Sequence, residues 1–118
     1  MGVGGRPIVL VVEDDEHVYD LLSEFLASCG FSVFGAGQGD ELLQLVERLR
    51  PQAVILDHES PLSMARQLRA RDPVPILLVT ARVELRLDSE AKEAGCDGVV
   101  RKPFHLDQLA EELQRVMA

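Results

Sequence analysis

At 118 residues, with 47% hydrophobic and 27% charged side chains, the chain has the size and composition of one globular domain, residues 1–118, without a disorder signature. A net charge of −8 disfavours a surface that tracks phosphate backbones, so direct nucleic-acid binding is not expected; apolar runs of about five residues rule out a membrane-spanning helix, which needs roughly 20. Cys29 and Cys96 lack metal-site spacing and are expected to be small buried hydrophobes of a soluble, cytoplasmic protein with no signal peptide.

Residues 1–7, with three glycines and a proline, read as a flexible lead-in, and Ile8 to Val12 has the continuous β-branched character of a strand buried on both faces. Val18, Leu21, Leu22, Phe25 and Leu26 then fall at helical spacing, and Gly30 is the stop. Phe31 to Ala36 reads as a second strand, Asp40 opens a helix whose stripe runs from Leu42 to Leu49 before Pro51, and Ala53 to Asp57 is the third strand. Between Pro61 and Pro73 only Leu62, Met64, Ala65 and Leu68 offer an apolar face, so a short helix is expected. Ile76 to Val79 forms a strand ending at Thr80, Val83 to Ala94 a charged helix closed by Gly95, Gly98 to Arg101 a fifth strand, and Leu106 to Met117 the last helix.

Five strands alternating with five helices predict an α/β fold of three layers, a parallel sheet covered on both faces. On that plan Asp14 and Asp15 follow strand one, Asp57 ends strand three, Thr80 strand four, and Lys102 follows strand five. The flavodoxin-like strand order 2-1-3-4-5 brings all five to one edge, where open α/β sheets bind ligands. Three acids crowded there repel unless protons or a hard cation neutralise them. Read alone, Glu13 to Glu16 is an acidic helix start favoured by the macrodipole, Thr80 a strand-end residue and Lys102 a solvated one. His17, His58 and His105 are not spaced as metal ligands and read as surface or loop residues.

Val11-Val-Glu-Asp-Asp-Glu16, Val54-Ile-Leu-Asp57, Leu78-Val-Thr-Ala81 and Lys102-Pro-Phe104 together resemble the receiver domain of two-component response regulators, over nearly the whole chain. The resemblance implies a signalling phosphoacceptor rather than an enzyme acting on other substrates. Asp57 would take a phosphoryl group from a histidine kinase or phosphotransfer protein. Mg²⁺, or Mn²⁺, would be held by Asp15 and Asp57 directly, by Asp14 mainly through water, and by the backbone carbonyl of Glu59. Lys102 and the Thr80 hydroxyl would contact phosphoryl oxygens, and the Lys102-Pro103 peptide would be cis. The output protein, unknown, would read the face formed by the helix over 83–94, the fifth strand and the last helix.

Two departures from the family pattern stand out. Val99 occupies the position three before the lysine, where the family usually has an aromatic switch residue; valine has little reach and one stiff torsion. The step from Asp57 to Thr80 is 23 residues, about four or five fewer than in the family, which shortens helix three by about one turn, or about 5 Å, and predicts a mobile segment there. Glu59 and Arg82 stand where the family tunes phosphoryl lifetime and would pair across the pocket entrance. The departures motivate an alternative, a pseudo-receiver that binds partners independently of phosphorylation. A haloacid dehalogenase-type phosphatase shares only Asp57-His-Glu59, and flavin binding fails because the loop after strand one is acidic rather than a phosphate cradle.

Overall fold

The computed structural model describes residues 5–58, 61–82 and 86–118. Ten elements alternate in chain order: β1 (Ile8–Glu13), α1 (Glu16–Ser28), β2 (Ser32–Gly35), α2 (Asp40–Leu49), β3 (Ala53–Asp57), α3 (Pro61–Arg69), β4 (Ile76–Thr80), α4 (Leu87–Glu93), β5 (Gly98–Arg101) and α5 (Leu106–Met117). The strands form one parallel sheet in the order β2-β1-β3-β4-β5. This is the flavodoxin-like, three-layer arrangement expected from the alternation of strand and helix patterns.

The period-2 alternation of strand side chains divides the core in two. Leu10, Val12, Val54, Leu56, Ile76 and Leu78 join the cluster that includes buried residues of α2, α3 and α4. Val9, Val11, Ile55, Leu77 and Val79 join the cluster with Leu22, Leu26, Leu109 and Leu113 of α1 and α5. Strands sandwiched in this way need apolar side chains on both faces, which is why β1, β3 and β4 read as unbroken apolar runs. The edge strand β2 is only half-buried and shorter than the expected Phe31 to Ala36.

One local expectation is corrected. Cys96 is buried as expected, but Cys29 is exposed because it caps the C-terminus of α1 instead of facing the core. The helix expected over 83–94 is described only as Leu87–Glu93, with residues 83–85 outside the described residues. Helix α3 is short as expected, nine residues, and four of them, Pro61, Met64, Ala65 and Leu68, are buried.

Its end is also clamped. The Arg69 guanidinium donates from Nε and Nη2 to the Gly95 carbonyl at 3.1 and 2.7 Å, from Nη1 to the Asp72 carbonyl at 3.0 Å, and pairs with Asp97 at 2.8 Å. Gly95 has φ +98°, and a Cβ there would lie 2.6 Å from Arg69 Cγ, so this turn requires glycine twice over. The expected looseness of this helix therefore does not follow from its packing.

Candidate functional site

The carboxyl ends of β1, β3 and β4 and the segment after β5 surround an open cleft of about 500 Å³. Asp57 and Thr80 line it, and they are the only polar residues classed as buried among the described residues, 8% and 7% exposed. A buried carboxylate needs a partner, and Asp57 has Lys102: Nζ lies 3.0 Å from Oδ1 and 2.9 Å from Oδ2. Only the Oδ1 contact has hydrogen-bond geometry; Oδ2 is buried and accepts none. Lys102 enters the cleft from the turn after β5, where its peptide bond to Pro103 is cis.

Register explains the acid beside Asp57. In the β1–β3 ladder Glu13 is the partner of Asp57, so parallel strands set two carboxyl groups side by side at the sheet edge. Glu13 Oε1 accepts the Asp15 N–H at 2.9 Å, whereas Oε2 is buried without a hydrogen-bonding partner. Burial, followed by contact with the Asp57 carboxylate and its charge, pushes the Glu13 carboxyl up from 4.5 to about 7; the Asp15 N–H and the Lys102 charge pull the other way. Two adjoining acids, each with a buried oxygen lacking a donor, form a site short of positive charge.

The following acids do different work. Asp14 is exposed, and its Oδ2 lies 2.9 Å from Nε2 of His58, whose side chain is only 9% exposed. Asp15 is the N-cap of α1: its Oδ1 accepts the N–H groups of His17 at 2.9 Å and Val18 at 3.2 Å. Thr80 Oγ1 accepts the Arg82 N–H at 3.0 Å, which leaves the hydroxyl proton free for a ligand in the cleft. The Glu59 carbonyl and the expected Glu59–Arg82 pair lie outside the described residues.

Sequence reasoning missed two residues of this cleft. Glu13 was passed over because the first strand was ended at Val12; the strand runs one residue further, which places Glu13 rather than Asp14 level with Asp57. His58 lies in the loop directly after Asp57, as expected, but its imidazole is only 9% exposed and its Nε2 reaches Asp14.

Hard oxygen donors with unsatisfied lone pairs suit a divalent cation such as Mg²⁺. Glu13, Asp14 and Asp57 bring such oxygens to one cleft, although among the described residues no three acidic, histidine or cysteine side chains already converge at metal-ligand spacing. The orphaned oxygens of Glu13 and Asp57 fit the ion; the capping oxygen of Asp15 is committed to the helix.

Comparison with known proteins gives a consistent picture. The profile of the response regulator receiver domain matches residues 9–114. Response regulator MprA of Mycobacterium leprae is 37% identical over 114 residues, covering 92% of this chain and 50% of that protein. Protein PetR of Rhodobacter capsulatus is 36% identical over 115 residues, covering 94% of this chain and 48% of that protein. The chain thus spans about half the length of these curated relatives. Among solved structures, the chemotaxis protein CheY4 of Vibrio cholerae superposes with a TM-score of 0.84 at 26% identity, covering 95% of this chain and 99% of that one. A response regulator from Thermotoga maritima gives 0.83 at 26% identity, with 95% and 98% covered.

Proposed function

The chain belongs to the response regulator receiver domain family of two-component systems, and on that premise we propose that Asp57 is its phosphoacceptor. The observation that carries this reading is the buried Asp57 carboxylate held by Lys102 beside a second acid with an orphaned oxygen. A structural ion pair would not need that second acid on the same rung. A carboxylate that must take up a phosphoryl group and a cation needs both the ammonium and the extra oxygens.

In the proposed reaction a carboxylate oxygen of Asp57 attacks the phosphorus of a phosphohistidine on a histidine kinase or phosphotransfer protein. The new P–O bond forms as the P–N bond breaks, leaving an acyl phosphate on Asp57 and returning the electron pair to the imidazole. Lys102 holds Asp57 in place and then pairs with a phosphoryl oxygen as a point charge. Thr80, its oxygen already fixed by the Arg82 N–H, donates its proton to another phosphoryl oxygen. Glu13, Asp14 and Asp57 would hold Mg²⁺ or Mn²⁺, with Asp15 left to cap α1, a division that differs from the pairing of Asp14 and Asp15 expected from sequence. When bound, the dication offsets charge building on the transferring group and the repulsion among the acids.

The test is phosphorylation by a small acyl phosphate, which needs no cognate kinase. Wild type with Mg²⁺ is expected to gain one phosphoryl group, and neither wild type without the ion nor Asp57→Asn with it should do so. Equal labelling of Asp57→Asn would overturn the assignment.

A further inference from the structure

We propose that His58 is a positioning residue for the divalent cation, holding the Asp14 carboxylate through Nε2. This rests on the receiver reading above and extends it to a side chain that neither the family resemblance nor the five strand-end residues include.

The contact is 2.9 Å, Nε2 to Oδ2. A carboxylate offers only acceptors, so a proton shared across this contact has to come from Nε2, and both the neutral Nε2–H tautomer and the imidazolium can supply it. The contact therefore requires no particular charge on His58. The two partners differ sharply in exposure, 9% for the imidazole and 75% for the carboxylate. A short side chain out in water would otherwise sample several rotamers, and the buried ring selects one of them. A rotamer fixed in advance is one less freedom lost when an ion binds.

The placement matches that role. Glu13 and Asp57 are partners on the last rung of the β1–β3 ladder, and Asp14 and His58 are the residues that directly follow them. His58 thus acts on the acid next to the phosphoacceptor pair while leaving Asp57 to Lys102. It uses one oxygen of Asp14, and a carboxylate has a second oxygen and about four lone-pair sites in all. Carboxylates that bind metals are themselves commonly hydrogen-bonded, and loss of such a partner typically weakens metal affinity about 10- to 100-fold.

The experiment uses the full 118-residue chain and Mn²⁺, titrated while the spectrum of the free aqua ion is followed by electron paramagnetic resonance. His58→Leu removes the donor at similar volume and is expected to weaken Mn²⁺ binding about tenfold. His58→Gln, which returns an N–H at the end of the side chain, should recover most of that loss, whereas a ring needed only for packing would not be rescued. In an Asp14→Ala background, His58→Leu should have no further effect on affinity. Unchanged affinity in His58→Leu, or equal losses with and without Asp14, overturns the proposal while leaving the receiver reading intact. So does nitrogen coupling in the spectrum of bound Mn²⁺, which would place the imidazole on the metal itself. Failure of the wild-type chain to bind Mn²⁺ defeats the metal site on which both readings depend.

Discussion

Glu13 and Asp57 are partners across the β1–β3 ladder, and that one register sets two carboxyl groups against each other at the edge of the sheet. Their mutual effect is one-directional in its consequence: the Asp57 charge, after burial, holds a proton on Glu13 up to about 7. Between 4.5 and about 7 the folded protein binds a proton that the unfolded chain has released, so the stability Glu13 contributes is lost as pH rises through about 7. Cation-free protein is expected to lose about 1 kcal/mol or less across this window, since Glu13 is only partly withdrawn from water. Glu13→Gln should flatten that part of the profile, and Asp57→Asn should return the Glu13 titration toward its ordinary range, both measurable by thermal unfolding against pH and by side-chain NMR. Because the proton and the dication compete for the same oxygens, Mg²⁺ affinity should rise with pH through about 7.

Lys102 supplies the compensating charge for Asp57. Its removal in Lys102→Met leaves a carboxylate 8% exposed beside Glu13 with no cation. Fully buried pairs lose about 3–5 kcal/mol when one partner is deleted; with the ammonium one-third exposed, about 1–2 kcal/mol is expected here. Saturating Mg²⁺ should restore most of the stability, while phosphoryl uptake from an acyl phosphate should remain slow. Denaturant unfolding with and without the ion checks the first part.

Arg69 ties the end of α3 to the turn before β5 through three contacts, two to the Gly95 carbonyl and one to Asp97, and adds a fourth to the Asp72 carbonyl. Arg69→Ala is expected to destabilise the protein by about 2 kcal/mol, the scale of charged hydrogen bonds to partly buried carbonyls. Arg69→Lys should recover less than half, because an ammonium cannot reproduce the planar fork. Hydrogen exchange should show the loss of protection concentrated at Ile76, whose N–H donates to Asp97, and at the start of β5. In wild type, α3 should be protected comparably with α4, in contrast to the mobility that sequence length alone suggests.

Val99 is half-buried and packs against the cluster formed with α2, α3 and α4, and the same side of β5 carries the Arg101–Asp88 pair at 3.1 Å. A valine cannot swing between inward and outward positions as an aromatic ring does. On phosphorylation, amide shifts are therefore expected to be largest around Thr80 and Ala81 and small from Val99 to Arg101. Two-dimensional NMR of the phosphorylated chain measures this directly.

The sheet order was readable because β1, β3 and β4 are apolar on both faces and each ends in a polar residue, a pattern that only a central parallel strand requires. Asp57, Thr80 and Lys102 followed from the same logic of strand ends. What sequence left open turned on single-residue register. Ending β1 at Val12 instead of Glu13 shifts every acid by one, and the side-chain period of two then exchanges a site residue for a helix cap. Asp15 shows the consequence: the ordinary reading of an acidic helix start holds for it, while its neighbour Glu13 carries the charge problem of the site. From sequence His58 reads only as a surface or loop residue, because a lone histidine carries no spacing signal, and only three-dimensional placement sets it against Asp14.

The most direct test of the account is to locate the phosphoryl group. The chain is incubated with a small acyl phosphate and Mg²⁺, the acyl phosphate is trapped by borohydride reduction, and the modified residue is identified by peptide mass spectrometry. The account predicts conversion at Asp57 alone, dependent on the divalent ion and lost in Asp57→Asn. Trapping at Asp14 or Asp15, or labelling that persists in Asp57→Asn, would contradict it.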